Sequence, residues 1–387
     1  NPAEPAPAGS PSVPLASESR QQDRSNRSTE MSFERLSPEE TGIDVIQRID
    51  PSHDRKYLYN SGFACGGLAL GDIDGDGRLD IFVVVNHGPN RLYRQVDAWR
   101  FEDVAEASGW AVREEAWGAG AALVDIDGDD DLDVYVCNYD DANELFINES
   151  EQGEIRFVER AAEYGLDIAD ACVMPYFCDY DRDGDLDVYI VCYNLYPPEG
   201  YPASPNDVYE MVEGRPVFKK DYGRYYGFVP AGNGTSQVSI RGRRDYLLRN
   251  EGPGTQGTSR FADVTEQAGI YEPGYGLAAH WWDFDQDGDF DLYVANDVED
   301  PDHLYQNNGN GTFTDVIGEV IPHTTYYSMG AATGDINNDQ RDDLLVLDMA
   351  ATTHFKSKVS MGEMRGLEKE VLANSHPRQV MRNALHI

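Results

Sequence analysis

The residues that could do chemistry sit in five short stretches with one spacing. Asp72, Asp74, Asp76 and Asp80 occupy positions 1, 3, 5 and 9 of the first. Asp125, Asp127, Asp129 and Asp133 repeat the arrangement, as do Asp179, Asp181, Asp183 and Asp187, and then Asp283, Asp285, Asp287 and Asp291. A fifth copy reads Asp335, Asn337, Asp339 and Asp343. In a tight turn the side chains at positions 1, 3 and 5 converge. A backbone carbonyl at position 7 (Arg78, Asp131, Asp185, Asp289 or Arg341) adds an oxygen, and the position-9 carboxylate closes the shell. Such a shell suits calcium, which takes about six to eight oxygens in flexible geometry. Magnesium keeps most of its waters and suits it less. Up to five calcium ions are expected, with the fifth loop the weakest because Asn337 removes a charge. Gly77, Gly184 and Gly288 supply the sharp turn at position 6, where loops two and five carry Asp130 and Gln340.

The chief rival is the EF-hand, whose loop begins alike but needs a Glu at position 12. Here position 12 is Val83, Val136, Ile190, Val294 and Val346, apolar each time. The EF-hand is excluded.

The elements that must hold these loops follow from the repeat. The first aspartates are 53, 54, 104 and 52 residues apart. A Gly/Ala-rich segment enters most loops, such as Gly66–Leu70, Gly118–Ala122 and Gly276–Ala279. The third loop departs, with Val173–Phe177. A β-branched and aromatic run leaves each loop, such as Ile81–Val85 and Val188–Cys192. Unbroken apolar runs of this length read as strands covered on both faces. Two further strands follow in each unit, for example Glu144–Asn148 and Phe157–Arg160. Four short strands per unit of about 50 residues predict an all-β chain, a β-propeller of four-stranded blades. The calcium loop lies between the first two strands of each blade. Five blades carry loops, forming a closed five-blade ring or part of a seven-blade one. Phe33–Leu36 resembles a fourth strand that could complete the last blade and hide its edge.

Residues 1–32 are expected to be a disordered Pro/Ala/Ser-rich leader, the tether left by a removed export signal, and 33–387 the propeller. Residues 193–245 interrupt blade three and 352–379 blade five. The first insertion is rich in tyrosine and carries seven basic residues against three acidic ones between Met211 and Tyr246. Tyr201, Tyr209, Tyr222, Arg224, Tyr225 and Tyr226 are its candidate partner contacts, since aromatic faces stack on sugars and guanidinium groups meet acids.

Net charge is −39, and 24 of the 70 acids lie in the five loops. Charge of this sign repels a phosphate backbone and excludes nucleic-acid binding. No run of about 18 apolar residues encodes a transmembrane helix. The five cysteines show no CxxC spacing and read as small buried hydrophobes.

DxDxDGxxD loops followed by LYxN and FxDVxxxxGI segments resemble the FG-GAP/VCBS repeats of integrin-α-type propellers. Phe101–Trp110 and Phe261–Ile270 carry the latter segment. The chain more closely resembles bacterial secreted proteins of the cartilage-acidic-protein-like (ASPIC/UnbV) group. That resemblance implies export, calcium-stabilised blades, usually seven of them, and often a further terminal domain whose motif is not found here.

The expected function is a secreted or cell-surface interaction module, periplasmic or lipid-tethered variants included, that binds a protein or glycan partner through its insertions. Calcium is then structural and the chain is not an enzyme. Two alternatives stay open. One is a calcium-dependent polysaccharide lyase or phosphoesterase; the other is a structural part of a larger surface assembly. The histidines show no ligand spacing and no GxSxG nucleophile is present. His280, beside Trp281 and Trp282, reads as a core residue.

Overall fold

The computed structural model describes residues 34–387 except 62, 64–65, 111–115, 152, 201, 203, 205–206, 232–234, 254–258, 271–272, 299 and 350–374. The leader 1–32 and residues 352–374 of the blade-five insertion therefore lie outside the described residues. Two units are distinguished, Asn1–Ser37 and Pro38–Ile387. Within the first, Glu34–Ser37 form no strand, where the sequence pattern predicts an outer strand over Phe33–Leu36; Phe33 itself lies outside the described residues.

The second unit is built of strands. Its described α-helices, α1 (Pro38–Thr41), α2 (Ala161–Tyr164), α3 (Thr265–Ala268) and α4 (Ile317–Val320), are single turns. β1 to β4 (Leu68–Gly71, Asp80–Val83, Arg91–Asp97, Arg100–Asp103) form the first antiparallel sheet in chain order. β5 to β8 (Gly118–Val124, Asp133–Ala142, Glu144–Asn148, Phe157–Glu159) repeat it. β9 and β10 (Ala169–Cys178, Asp187–Cys192) begin the third sheet. Next come two hairpins, β11–β12 (Tyr209–Val212, Arg215–Phe218) and β13–β14 (Tyr226–Ala231, Thr235–Ile240), and then β15 (Arg243–Arg244). β16 and β17 (Tyr246–Pro253, Ser259–Asp263) complete the third sheet, and β18 (Pro273–Gly274) pairs with β15. β19 to β22 (Gly276–Trp282, Asp291–Asn296, His303–Asn307, Phe313–Asp315) form the fourth. β23 (His323–Thr325) pairs in parallel with β26 (Arg378–Val380). β24, β25 and β27 (Ser328–Gly334, Asp343–Asp348, Ala384–His386) form a fifth sheet of three strands.

The apolar core lies in the seams between successive sheets. Phe82, Val84 and Leu92 of the first sheet meet Ala121, Val134 and Phe146 of the second. Corresponding clusters join sheets two to three, three to four and four to five. Trp110 seals the first seam, stacked on Phe146 at 3.6 Å between ring centroids and tilted against Phe82 at 4.8 Å. Replacing such a buried Trp by Ala costs about 3–5 kcal/mol. The Gly/Ala-rich entry strands have a direct cause. A Cβ on Gly67 would lie 2.8 Å from the Cα of Gly120, and one on Gly120 would lie 2.4 Å from the Val173 oxygen. Only small residues let the innermost strands approach this closely.

Sheets two and three are joined edge to edge. β6 overruns its sheet and pairs with the start of β9, Tyr139 opposite Ala171. Both strands are ten residues long. The join uses Ala169–Ala171 of β9, while the segment that departs from the Gly/Ala pattern, Val173–Phe177, pairs onward with β10 from Met174.

Candidate metal centre

Each acidic stretch links the first two strands of its sheet, and the backbone makes the same turn each time. Residues at positions 4 and 6 are both left-handed: Gly75 and Gly77, Gly128 and Asp130, Arg182 and Gly184, Gln286 and Gly288, Asn338 and Gln340. Spacing alone marked only position 6. The position-6 amide donates to the first aspartate in all five loops, at 2.7 Å from Gly77 to Asp72 and 3.0 Å from Gln340 to Asp335. The position-7 amide donates to the fifth-position carboxylate in all five, as from Asp185 to Asp183 at 3.0 Å.

In four loops the carboxylates of positions 1, 3 and 9 converge. Oxygens of Asp72, Asp74 and Asp80 lie within 4.8 Å of one another, as do those of Asp125, Asp127 and Asp133, of Asp179, Asp181 and Asp187, and of Asp283, Asp285 and Asp291. These triplets could hold a metal ion. The position-5 aspartates (Asp76, Asp129, Asp183 and Asp287) stand outside the triplets. The fifth loop keeps the hydrogen bonds, but the Asn337 amide donates to Asp343 at 3.3 Å, which turns a donor toward the place of a ligand.

The triplets fit a cation by two further signs. Asp179 and Asp283 each bury a carboxylate oxygen with no hydrogen-bond partner, and so does Asp131, whose side chain sits at position 7 of loop two. A buried carboxylate oxygen left this way is costly unless something positive meets it. Burial, then the neighbouring carboxylates, push Asp131 up to about 7. Burial pushes Asp133 up to about 7 and Asp187 up to about 8, against the amides that bond them. Like charges crowded in a half-buried pocket resist ionisation until a cation is present.

The loops are not equivalent. The Arg94 guanidinium lies against Asp74 in loop one, so a protein cation already faces that triplet. In loop four the Gln306 amide donates to Asp285 at 2.5 Å. The corresponding residue of loop two is Ile147, and there Asp127, Asp129 and Asp131 open with Glu149, Arg160 and Tyr164 onto a cleft of about 790 Å³.

Two supporting residues escaped the sequence reading. The ninth-position aspartates brace the loop. Asp133 accepts from the Ile126 amide at 3.0 Å and the Asn148 amide at 2.8 Å, and Asp80, Asp187 and Asp291 accept in the same way. The asparagine ending the third strand then reaches into the preceding loop. Asn148 donates to the Ile73 oxygen and Asn307 to the Tyr180 oxygen, each at 3.0 Å. The second is an Asn or Asp just before each third strand. Asn90, Asn143, Asp245, Asp302 and Asn383 accept from the amides of Val85, Asn138, Cys192, Asn296 and Asp348 at 2.6–2.9 Å. Its sequence signal is an Asx at a fixed offset before the LYxN segment.

The insertion stands at the end of β10 away from the loop. Of its six candidate contacts, Tyr201 lies outside the described residues. Tyr226 is buried, and Arg224 pairs with Asp140. Packing holds the Tyr226 ring, while the Arg224 side chain stays about half exposed beside its acid. Tyr209 packs edge-on to Phe228, Tyr222 packs near Tyr226, and Tyr225 lies on the cluster around Trp117. Arg243 forks onto buried Asp170 at 2.5 and 2.7 Å. His280 bonds Thr333 at 2.8 Å, and burial lowers its pKa. Among the described residues no helix is long and apolar enough to cross a membrane.

Comparison with known proteins agrees with this geometry. Residues 72–136, 125–190 and 283–346 match the family model of the FG-GAP-like repeat. Each match starts on the first aspartate of a loop and ends in the strand leaving the next. The chain is similar to cartilage acidic protein 1 of Mus musculus, 22% identical over 337 residues, covering 83% of this chain and 44% of that protein. It is also similar to cartilage acidic protein 1 of Xenopus tropicalis, 28% identical over 126 residues, covering 32% and 19%. The chain spans less than half the length of these curated relatives. Among solved structures it is similar to the biofilm matrix protein Bap1 of V. cholerae, at 13% identity and a TM-score of 0.33, over 73% of this chain and 34% of that one. The loops, the four-stranded units and these matches together make this chain an FG-GAP repeat protein.

Proposed function

We propose that the chain is an extracellular calcium-binding β-propeller module that recognises a protein or glycan partner, its calcium ions acting as structural staples. The observation that carries this reading is the convergence of three carboxylates in four successive loops. The donors are hard oxygens, which select calcium over softer, nitrogen- or sulfur-seeking metals. Loops two to four are the strongest candidates. Loop one shares its triplet with Arg94, and loop five, with Asn337, is the weakest. The sheets serve as blades. The FG-GAP repeats and the cartilage acidic protein relatives support an extracellular setting.

The loops repeat, whereas the insertion occurs once, so partner recognition is assigned to the insertion. Catalysis is not part of the proposal.

Elemental analysis of the purified protein, with melting in chelator and in added calcium or magnesium, tests the staple. About three to five calcium ions per chain and a melting temperature restored more by calcium than by magnesium are expected. A melting curve indifferent to chelator would sink the reading. Deleting Tyr201–Gly242 tests recognition: the fold should persist and partner or glycan-array binding should vanish. Turnover of a polysaccharide or phosphoester that chelator abolishes would replace the staple by a catalytic metal.

A further inference from the structure

Cys172 and Cys192 face each other across the pairing of β9 and β10. Their Sγ atoms are 3.6 Å apart, and both residues are fully buried. Directly opposed residues in an antiparallel pair hold their Cα atoms about 4.5–5.5 Å apart, inside the range a disulfide accepts. The sulfurs need approach by only about 1.5 Å to reach bonding distance. The register shift between Val191 and Cys192 falls at this step.

We propose that Cys172 and Cys192 form a cross-strand disulfide when the chain folds in an oxidising compartment. The inference rests on the extracellular reading for its setting. The oxidant is a disulfide of the glutathione class. One cysteine thiolate attacks it, releasing one reduced thiol and leaving a mixed disulfide. The second cysteine then attacks, forming the Sγ–Sγ bond and releasing the second thiol. In sum the two protein thiols lose two protons and two electrons, and the oxidant gains them. The step belongs to folding, before β9 closes on β10. Once the sheets close, burial raises the Cys192 thiol well above its ordinary value and shuts out reagents.

The position gives the bond a purpose. Cys178 stands opposite Asp187 at the loop end of this strand pair, and Cys172 opposite Cys192 at the far end. The third acidic loop lies within the segment that the bridge encloses. A metal would hold the strands at one end and the disulfide at the other, where the long insertion departs. Cys137 and Cys172 share the core cluster at the second seam, so a Cys137–Cys172 link is the rival outcome.

The test refolds the full chain in calcium with oxidised and reduced glutathione, or with excess dithiothreitol. The product is alkylated in denaturant and weighed, first without and then with reduction. Three of the five cysteines should alkylate before reduction and all five after. Trypsin cleavage at Arg182 separates the partners, and a Cys178→Ala chain makes the linked peptide unique to Cys172 and Cys192. Alkylation of all five before reduction, or linkage through Cys137 or Cys178, overturns the inference. Refolding in vitro does not depend on where the protein is made. Failure there counts against the bridge and leaves the extracellular reading standing. A bridge that forms in vitro but is missing from natively produced protein counts against the compartment.

Discussion

At the acidic end of the sheets five loops share one hydrogen-bond pattern, down to left-handed residues at positions 4 and 6. At the opposite end the sheets finish differently. The strand β2 runs into Asn86, whose side chain bonds the Phe63 oxygen. β6 runs on into the next sheet, β10 opens into two hairpins, and β20 reaches Asp297, which accepts from Tyr193 at 2.7 Å. Repetition at one end and individuality at the other separate two demands on the chain. A staple works best when copied. A recognition surface needs positions that are not copied.

Four experiments press on this contrast. Removing metal should have the largest effect. Each occupied loop contributes about 2.7 kcal/mol at a hundredfold excess of calcium over its dissociation constant, so chelation should lower the melting temperature steeply in calorimetry. A comparable loss on deleting the insertion would erase the division between the ends. Next, Arg243→Ala removes the cation that faces buried Asp170, leaving it the Tyr246 hydroxyl and the Ala171 amide, and should cost about 3–5 kcal/mol in urea unfolding. Arg215→Ala, on the exposed second strand of a hairpin, should change stability by less than about 0.5 kcal/mol and weaken partner binding instead.

The third experiment uses one sheet to correct another. Asp245 in the third sheet bonds Tyr189 and the Cys192 amide, while Asn143 in the second makes the equivalent bonds to Tyr135 and Asn138. Burial pushes the Asp245 carboxyl from an ordinary 3.8 up to about 7. The native chain therefore holds this proton more tightly than the unfolded one. The stability it contributes is complete below about pH 4 and is lost as pH rises through 7. Asp245→Asn should raise stability near pH 7.5 by on the order of 2 kcal/mol and flatten that part of the pH profile. An unchanged profile would assign the pH dependence elsewhere. The fourth experiment, Gln340→Gly, has a smaller effect than Asp245→Asn. Gln340 sits at φ +71°, where a side chain is strained, and the change should add about 0.5–1 kcal/mol in calcium.

Much of the acidic end was legible because its determinants are local. Nine residues contain the acids, the turn and the entry to the next strand, and a period near 53 exposes them. The strand order followed from the same period. What stayed hidden depends on contacts far apart in sequence. Asn148 reaches Ile73 across 75 residues, and no spacing within one repeat shows that reach. The β6–β9 join depends on how far a strand runs past its own sheet. The insertion's basic residues suggested a surface for acidic ligands. Arg224, Arg243 and Arg244 instead meet Asp140, Asp170 and Asp263 within the chain. Composition counts charges, but only folding pairs them.

The asparagine that bridges neighbouring loops turns separate binding sites into a ladder. When a metal orders Asp72–Asp80, it also fixes the carbonyl that Asn148 grips, and Asn148 shares a rung with Asp133 of the next loop. Asn307 ties loop four to loop three in the same manner. Filling one site thus lowers the ordering cost of its neighbour, and titration should show positive cooperativity within these pairs. A chain wired this way would respond to a falling metal concentration as a threshold device, loosening two adjacent sheets together rather than one at a time.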